Sequence, residues 1–313
     1  MSLISESLSW PDSSSHSTLG AIRPGERHNY VAFFLTMACN LHCYYCINLH
    51  DGGSRKNMLK RQMTADEWIL AANRLELRAD LPLTLQGGEP TLSNSFVRLV
   101  NEAKPELRCD LMTNLTFDVD SFIANVPVWR FLRDAPYAPI RVSYHPGQND
   151  IDELVGNYFR LVEAGFRVGI YGILHPDEEI RRHILETQER CLKLGVDFRT
   201  KEFLGEWNGT LYGEFKYPGA VLGKPFRSCR CRTSELIVDP AGWVYKCHAD
   251  LFQGRDPFAH ILDPDLDADA IDEFRACSFY GDCNPCDIKV KTNRFQQFGH
   301  TTVDVLDIEG ERE

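Results

Sequence analysis

The chain opens its regular pattern with an apolar run over residues 30–37, YVAFFLTM, which reads as a strand buried on both faces. Residues 64–77 follow a helical period: Trp68, Ala71, Ala72 and Leu75 share one face, and Thr64 and Glu67 stand at capping-box spacing. A short strand is predicted over 82–85, then a Gly-Gly turn and a helix face of Phe96, Leu99, Val100 and Ala103. Strands over 107–112 and 139–144 precede a helix lined by Leu154, Tyr158 and Leu161, which Gly165 can close. The pattern ends with a strand over 166–174, a helix facing inward through Ile180, Ile184, Thr187, Cys191 and Leu194, and a sixth strand over 196–203. Strands alternating with helices of this length imply a parallel sheet built from βαβ units.

The pattern divides the chain. Residues 1–28, rich in Ser, Gly and Pro, are expected to be a flexible leader; 29–205 form the α/β core. Residues 206–227 carry little period and read as a connector, and 228–313 form a smaller cysteine-rich region with short strands. Within it, 263–273 holds six acidic residues and reads as a solvated surface segment.

Composition narrows the function classes. The 313 residues carry 34 Lys and Arg against 45 Asp and Glu, a net charge of −11, which argues against non-specific nucleic-acid binding. No apolar run reaches the ~18 residues of a membrane helix, and the first residues lack the form of a secretory signal, so a cytoplasmic protein is expected. Eleven cysteines are many for such a chain, and in a reducing compartment clustered cysteines hold metal or do chemistry more often than they form bridges.

The first cluster, Cys39-Asn-Leu-His-Cys43-Tyr-Tyr-Cys46, follows the first strand. Three thiolates on one loop can converge on one centre. A structural zinc is closed by four ligands, whereas three leave a position open. His42 or His50 would close a zinc site, but their spacing is not that of the usual zinc arrangements.

At these residues the chain resembles the radical SAM superfamily. The family's C-x-x-x-C-x-aromatic-C signature is matched by Cys39, Cys43, Tyr45 and Cys46. The resemblance implies a partial (β/α)6 TIM-like barrel and a [4Fe-4S] cluster on the three cysteines. S-adenosylmethionine (SAM) would chelate the open iron, with Tyr45 near the adenine. Gly87-Gly88-Glu89-Pro90, one βα unit later, looks like the family's GGEP motif, which contacts the methionine amino group. Two glycines let backbone approach a ligand closely, and exposed amides there can meet a charged partner. Thr113 and Asn114 stand where the family often has Thr-Asn-Gly, with Leu115 replacing the glycine, and Ser143 stands where a polar side chain often meets the ribose. Each of these can equally be a strand-end cap.

A second constellation lies beyond residue 228. Cys229 and Cys247 flank a hairpin-like segment turning at Pro240-Ala241-Gly242, and Cys283-Asn-Pro-Cys286 is a C-x-x-C knuckle. Together they make a credible four-thiolate site, zinc or iron–sulfur on spacing alone. Next to a radical SAM core it resembles the Twitch domain, a shortened SPASM domain of mixed α+β structure, which implies one auxiliary [4Fe-4S] cluster. Cys231 stands two residues from Cys229 and competes with it as first ligand, with Cys229 favoured by spacing. The thiol left over and Cys277 are then either buried apolar groups or hydrogen-atom donors to a substrate radical. Cys109 and Cys191 lie on apolar faces and read as core.

The leading expectation is an enzyme that cleaves SAM to a 5′-deoxyadenosyl radical and dehydrogenates or epimerises a small molecule, fed by a flavodoxin- or ferredoxin-type reductant. A peptide maturase of the SPASM/Twitch type is the alternative, disfavoured by the short stretch before Tyr30. A non-catalytic metal-binding interaction protein is a third, disfavoured by the open three-cysteine site.

Overall fold

The structure, a computed structural model, describes residues 19–43, 45–46, 61–203, 205–212, 227–280 and 303–307. Its centre is a sheet whose strands β1 (Tyr30–Thr36), β2 (Leu83–Gly87), β3 (Cys109–Thr113), β4 (Ile140–Tyr144), β5 (Val168–Leu174) and β6 (Phe198–Glu202) lie side by side in sequence order. All five pairings among them are parallel. Helices α1 (Ala65–Arg74), α2 (Phe96–Glu102), α3 (Val119–Asn125), α4 (Ile151–Glu163) and α5 (Glu178–Lys193) fill the crossovers. This is the parallel sheet of βαβ units that the alternation predicts, in the partial (β/α)6 arrangement that the resemblance implies.

β1 is buried at every position because it is apolar on both faces. Val31, Phe33 and Leu35 enter the large core beneath the helices, where the Phe33 ring lies 4.8 Å from that of Trp68 on α1. Tyr30, Ala32 and Phe34 face the other way, into a second cluster with Ile237, Tyr245, Leu251 and Phe252. The α1 N-terminus forms as its spacing predicts: Thr64 and Glu67 make a complete capping box.

Three features depart from the sequence reading. Ile22, inside the expected leader, is fully buried; its backbone donates to the Arg74 carbonyl and accepts from Glu76 N–H, so residues 19–28 join the fold. The connector contains a hairpin, β7 (Gly205–Trp207) and β8 (Thr210–Tyr212). Within the acidic stretch Leu266 and Ile271 are buried, and the Arg74 guanidinium donates to the carbonyls of Ile261, Asp263 and Leu266.

Beyond β9 (Arg227–Thr233), the predicted hairpin forms from β10 (Glu235–Val238) and β11 (Trp243–Tyr245), with Gly242 at φ +88 in its turn. It does not stand apart from the core. β10 pairs in parallel with β1, Tyr30 opposite Glu235, and β12 (Ala259–His260) completes a nine-stranded sheet. α6 (His248–Gln253) and α7 (Ala268–Ile271) accompany these strands. A separate three-stranded antiparallel sheet places β9 between β13 (Arg275–Tyr280) and β14 (Val303–Asp307). No helix among the described residues is long and apolar enough to cross a membrane.

At the amino-terminal ends of β3 and β4, Asp110 meets Arg133 twice, at 2.8 and 2.9 Å, and Arg141 once, at 3.4 Å; Asp110 and Arg141 are buried, and the Arg133 side chain is 6% exposed. This ionic group closes the end of the sheet opposite the cysteine loop.

Candidate functional site

The carboxyl ends of parallel strands are where loops of different βα units converge, and the predicted residues gather there. Cys39 comes three residues after β1. Cys43 is buried, while Cys39 and Cys46 are half-buried. Burial, and then the neighbouring Cys46 and Cys39, push the Cys43 thiol up to about 12. A thiol that resists losing its proton beside two further sulfurs belongs to a donor set that a cation completes. The three are not drawn tightly together: among the described residues, the one group of three ligating side chains with all ligand atoms within 4.8 Å lies elsewhere.

The glycines of the Gly87-Gly88-Glu89-Pro90 turn are needed for a reason the sequence reading did not give. Gly87 has φ +147, and a Cβ there would stand 2.0 Å from the Thr36 carbonyl oxygen; a Cβ on Gly88 would stand 2.2 Å from that of Ala38. The close approach is to the backbone leading into the cysteine loop. The amides expected to meet a ligand are spent on the same contact: Gly88 N–H donates to Thr36 and Glu89 N–H to Ala38, both at 2.8 Å.

Glu89 is buried and its carboxylate is a knot. It accepts from Thr91 Oγ1 at 2.6 Å, Thr113 Oγ1 at 2.9 Å and Asn114 N–H at 2.7 Å, tying the end of β2 to the end of β3. Burial raises its pKa and these donors oppose the rise. The Thr113 hydroxyl is thus a strand-end link. The Asn114 side chain points at the cysteine loop instead, its Nδ2 lying 3.7 Å from Cys39 Sγ and 2.9 Å from Asn40 Oδ1. Leu115, in the family's glycine position, keeps a left-handed backbone at φ +57 while buried, a conformation that costs a leucine about 1–2 kcal/mol. Ser143 is half-buried at the end of β4, opposite Tyr171 of β5, and its carbonyl accepts from Asn149 Nδ2 at 2.9 Å.

Sequence reasoning missed the loop after β4. Tyr45 Oη lies 2.8 Å from His145 Nδ1, His42 N–H donates to Gln148 Oε1 at 2.9 Å, and the Asn149 amide also reaches the Asn114 carbonyl. Burial lowers the His145 pKa to about 4, so the ring is neutral at physiological pH. His175 at the end of β5 packs 5.9 Å from the Tyr45 ring and 4.5 Å from Trp207 of the β7–β8 hairpin. Their available signal was position alone: each follows directly on a predicted strand.

In the second constellation Cys229, Cys231 and Cys247 are buried and Cys277 is half-buried. The tight group of three is Cys229, Cys231 and Cys277. Cys247 caps α6, accepting from Asp250 N–H at 3.5 Å. Cys283, Cys286 and His50 lie outside the described residues.

The parallel barrel with three cysteines in the loop after its first strand is similar in fold to solved structures of an AdoMet-bound enzyme, and a group of three cysteines that could hold a metal lies in the antiparallel sheet of β9. The solved structure of native anSMEcpe, an anaerobic sulfatase-maturating enzyme, with bound AdoMet and Kp18Cys peptide superposes with a TM-score of 0.52 at 14% identity, covering 79% of this chain and 80% of that one. The same enzyme with AdoMet alone gives 0.52 at 13% identity over 79% and 80%. No protein-family model and no curated protein matches the sequence.

Proposed function

We propose that this chain is a radical SAM enzyme that abstracts a hydrogen atom from an organic substrate. The observation that carries the reading is the cysteine loop after β1 held against the Gly87–Gly88 turn and the ends of β3 and β4, with Asn114 Nδ2 aimed at Cys39 Sγ. Cys39, Cys43 and Cys46 would hold a [4Fe-4S] cluster, leaving one iron for the amino and carboxylate groups of SAM. When bound, that cluster supplies the electron that cleaves SAM to methionine and a 5′-deoxyadenosyl radical, which takes the substrate's hydrogen. The chain's own part is placement. Gly87 and Gly88 bring the β2 turn onto the loop, Glu89 locks the turn to β3, and Tyr45, steadied by His145, offers an aromatic face where adenine would stack. Ser143 supports the reading as a ribose contact.

The leading substrate reading is a small molecule that is dehydrogenated or epimerised. A peptide substrate is the second, favoured by the Kp18Cys peptide in the superposable anSMEcpe structure. Anaerobically reconstituted protein with a low-potential reductant should release 5′-deoxyadenosine from SAM, and the Cys39→Ala/Cys43→Ala/Cys46→Ala variant should release none. Cleavage retained in that variant refutes the reading. Deuterated small-molecule and peptide candidates, scored by label in 5′-deoxyadenosine, separate the two substrate classes.

A further inference from the structure

We infer that Cys229, Cys231 and Cys277 together ligate the second metal centre, so that Cys231 and Cys277 are neither spare thiols nor hydrogen donors. The inference deepens the proposed function by naming ligands for its auxiliary centre, and it is tested without reference to SAM cleavage. β9 reads Arg227-Ser-Cys-Arg-Cys-Arg-Thr233, and its period of two puts both cysteines on one face and Arg230 and Arg232 on the other. The arginines act on their own side: Arg230 donates to the Phe274 carbonyl and Arg232 pairs with Asp272 and Asp304. On the cysteine face, antiparallel pairing sets Cys277 of β13 directly opposite Cys229, where side chains meet most closely. The result is the group of three sulfurs within 4.8 Å of one another.

β9 is the middle strand of its sheet, held by β13 on one side and by β14 on the other, with Val305 opposite Cys231 and Asp307 opposite Cys229. The three sulfurs are therefore fixed by strand register rather than by a loose loop. Three is one too many for a disulfide, and a hydrogen donor needs one thiol open to substrate, whereas Cys231 is 5% exposed and faces two other sulfurs. A rigid, all-thiolate, largely dry triangle is what a soft metal centre requires, iron in a cluster or a single zinc. Cys247, buried as well, lies outside that 4.8 Å group.

The test uses the full chain carrying Cys39→Ala, Cys43→Ala and Cys46→Ala, so that all bound metal reports on the second centre. Iron, acid-labile sulfide and zinc per chain are measured after anaerobic reconstitution, and again with Cys231→Ala or Cys277→Ala added. Each addition should remove most of the remaining metal, while Cys109→Ala in the strand core should not. Loss of iron and sulfide identifies a cluster and loss of zinc a single ion; either supports the ligand set. Full metal retention in both variants, with loss only in Cys283→Ala/Cys286→Ala, overturns it. Because a variant can lose metal by misfolding, alkylation of the unaltered chain gives a second reading. Half-buried Cys277 should react after chelation and be protected when metal is loaded, and equal labelling in the two states also overturns the inference.

Discussion

The Tyr45 phenol and the His145 imidazole stand 2.8 Å apart, joining the cysteine loop to the end of β4 across a sequence separation of 100 residues. The aromatic position of the cysteine signature is thereby oriented by a neutral ring rather than left to pack where it falls. His175, on the other side, is neutral as well, its pKa lowered by burial. On this side the loop is held by uncharged groups.

Removing that hydrogen bond should weaken SAM binding without abolishing chemistry. Tyr45→Phe and His145→Phe are each expected to raise KM for SAM about fivefold, the worth of roughly 1 kcal/mol, with kcat little changed. The double variant should cost no more than either single one. Additive losses in this cycle would show that the two residues act separately.

Gly88→Ala should separate the β2 turn from the cysteine loop. Its Cβ would meet the Ala38 carbonyl oxygen at 2.2 Å and the Met37 carbonyl oxygen at 2.6 Å, and these are backbone atoms that cannot swing aside. Iron bound at the first centre is expected to fall sharply and the thermal midpoint to drop. Wild-type iron content in this variant would contradict the close approach.

The ionic group at the far end of the sheet predicts a purely structural loss. Asp110→Ala leaves two buried guanidiniums, Arg133 and Arg141, without their shared carboxylate, at a cost of about 3–5 kcal/mol by urea unfolding. Metal content in the folded fraction should be unchanged, since the group lies at the opposite ends of the strands. A loss below about 1 kcal/mol would mean that water or another group already compensates the arginines.

Acid should destabilise the fold through His28. The residue is fully buried, and burial followed by the Arg27 charge lowers its pKa to about 4. In the unfolded chain the ring takes up its proton near pH 6.5, so below that pH the unfolded state binds more protons than the folded one. Stability is full above about pH 6.5 and falls as pH drops toward about 4, by at most ~1.4 kcal/mol per pH unit from this group. The urea midpoint of His28→Gln should fall less steeply between pH 7 and pH 5 than that of the parent chain; parallel slopes would remove His28 as the cause.

Local chemistry made much of the molecule legible. The six core strands and their helices follow from apolar period, because a strand buried on both faces and an amphipathic helix each announce themselves within a dozen residues. Thr64 and Glu67 form the capping box their spacing implies, and the hairpin turning at Gly242 forms where alternation puts it. The Cys39, Cys43 and Cys46 loop lies at a strand end for the same local reason.

Tertiary structure alone decided what lies beside what. The parallel pairing of β10 with β1 joins residues some 200 positions apart, as Tyr30 opposite Glu235, and no local pattern encodes a partner at that distance. Which of the cysteines beyond residue 228 share a face depends on β13 choosing its register against β9, and that register sets Cys277 against Cys229. His145 became part of the site only when β4 took its place beside β3. Chain propensity specifies elements one at a time, whereas a site is the product of packing them, and packing is settled by surfaces that meet only after the chain has folded.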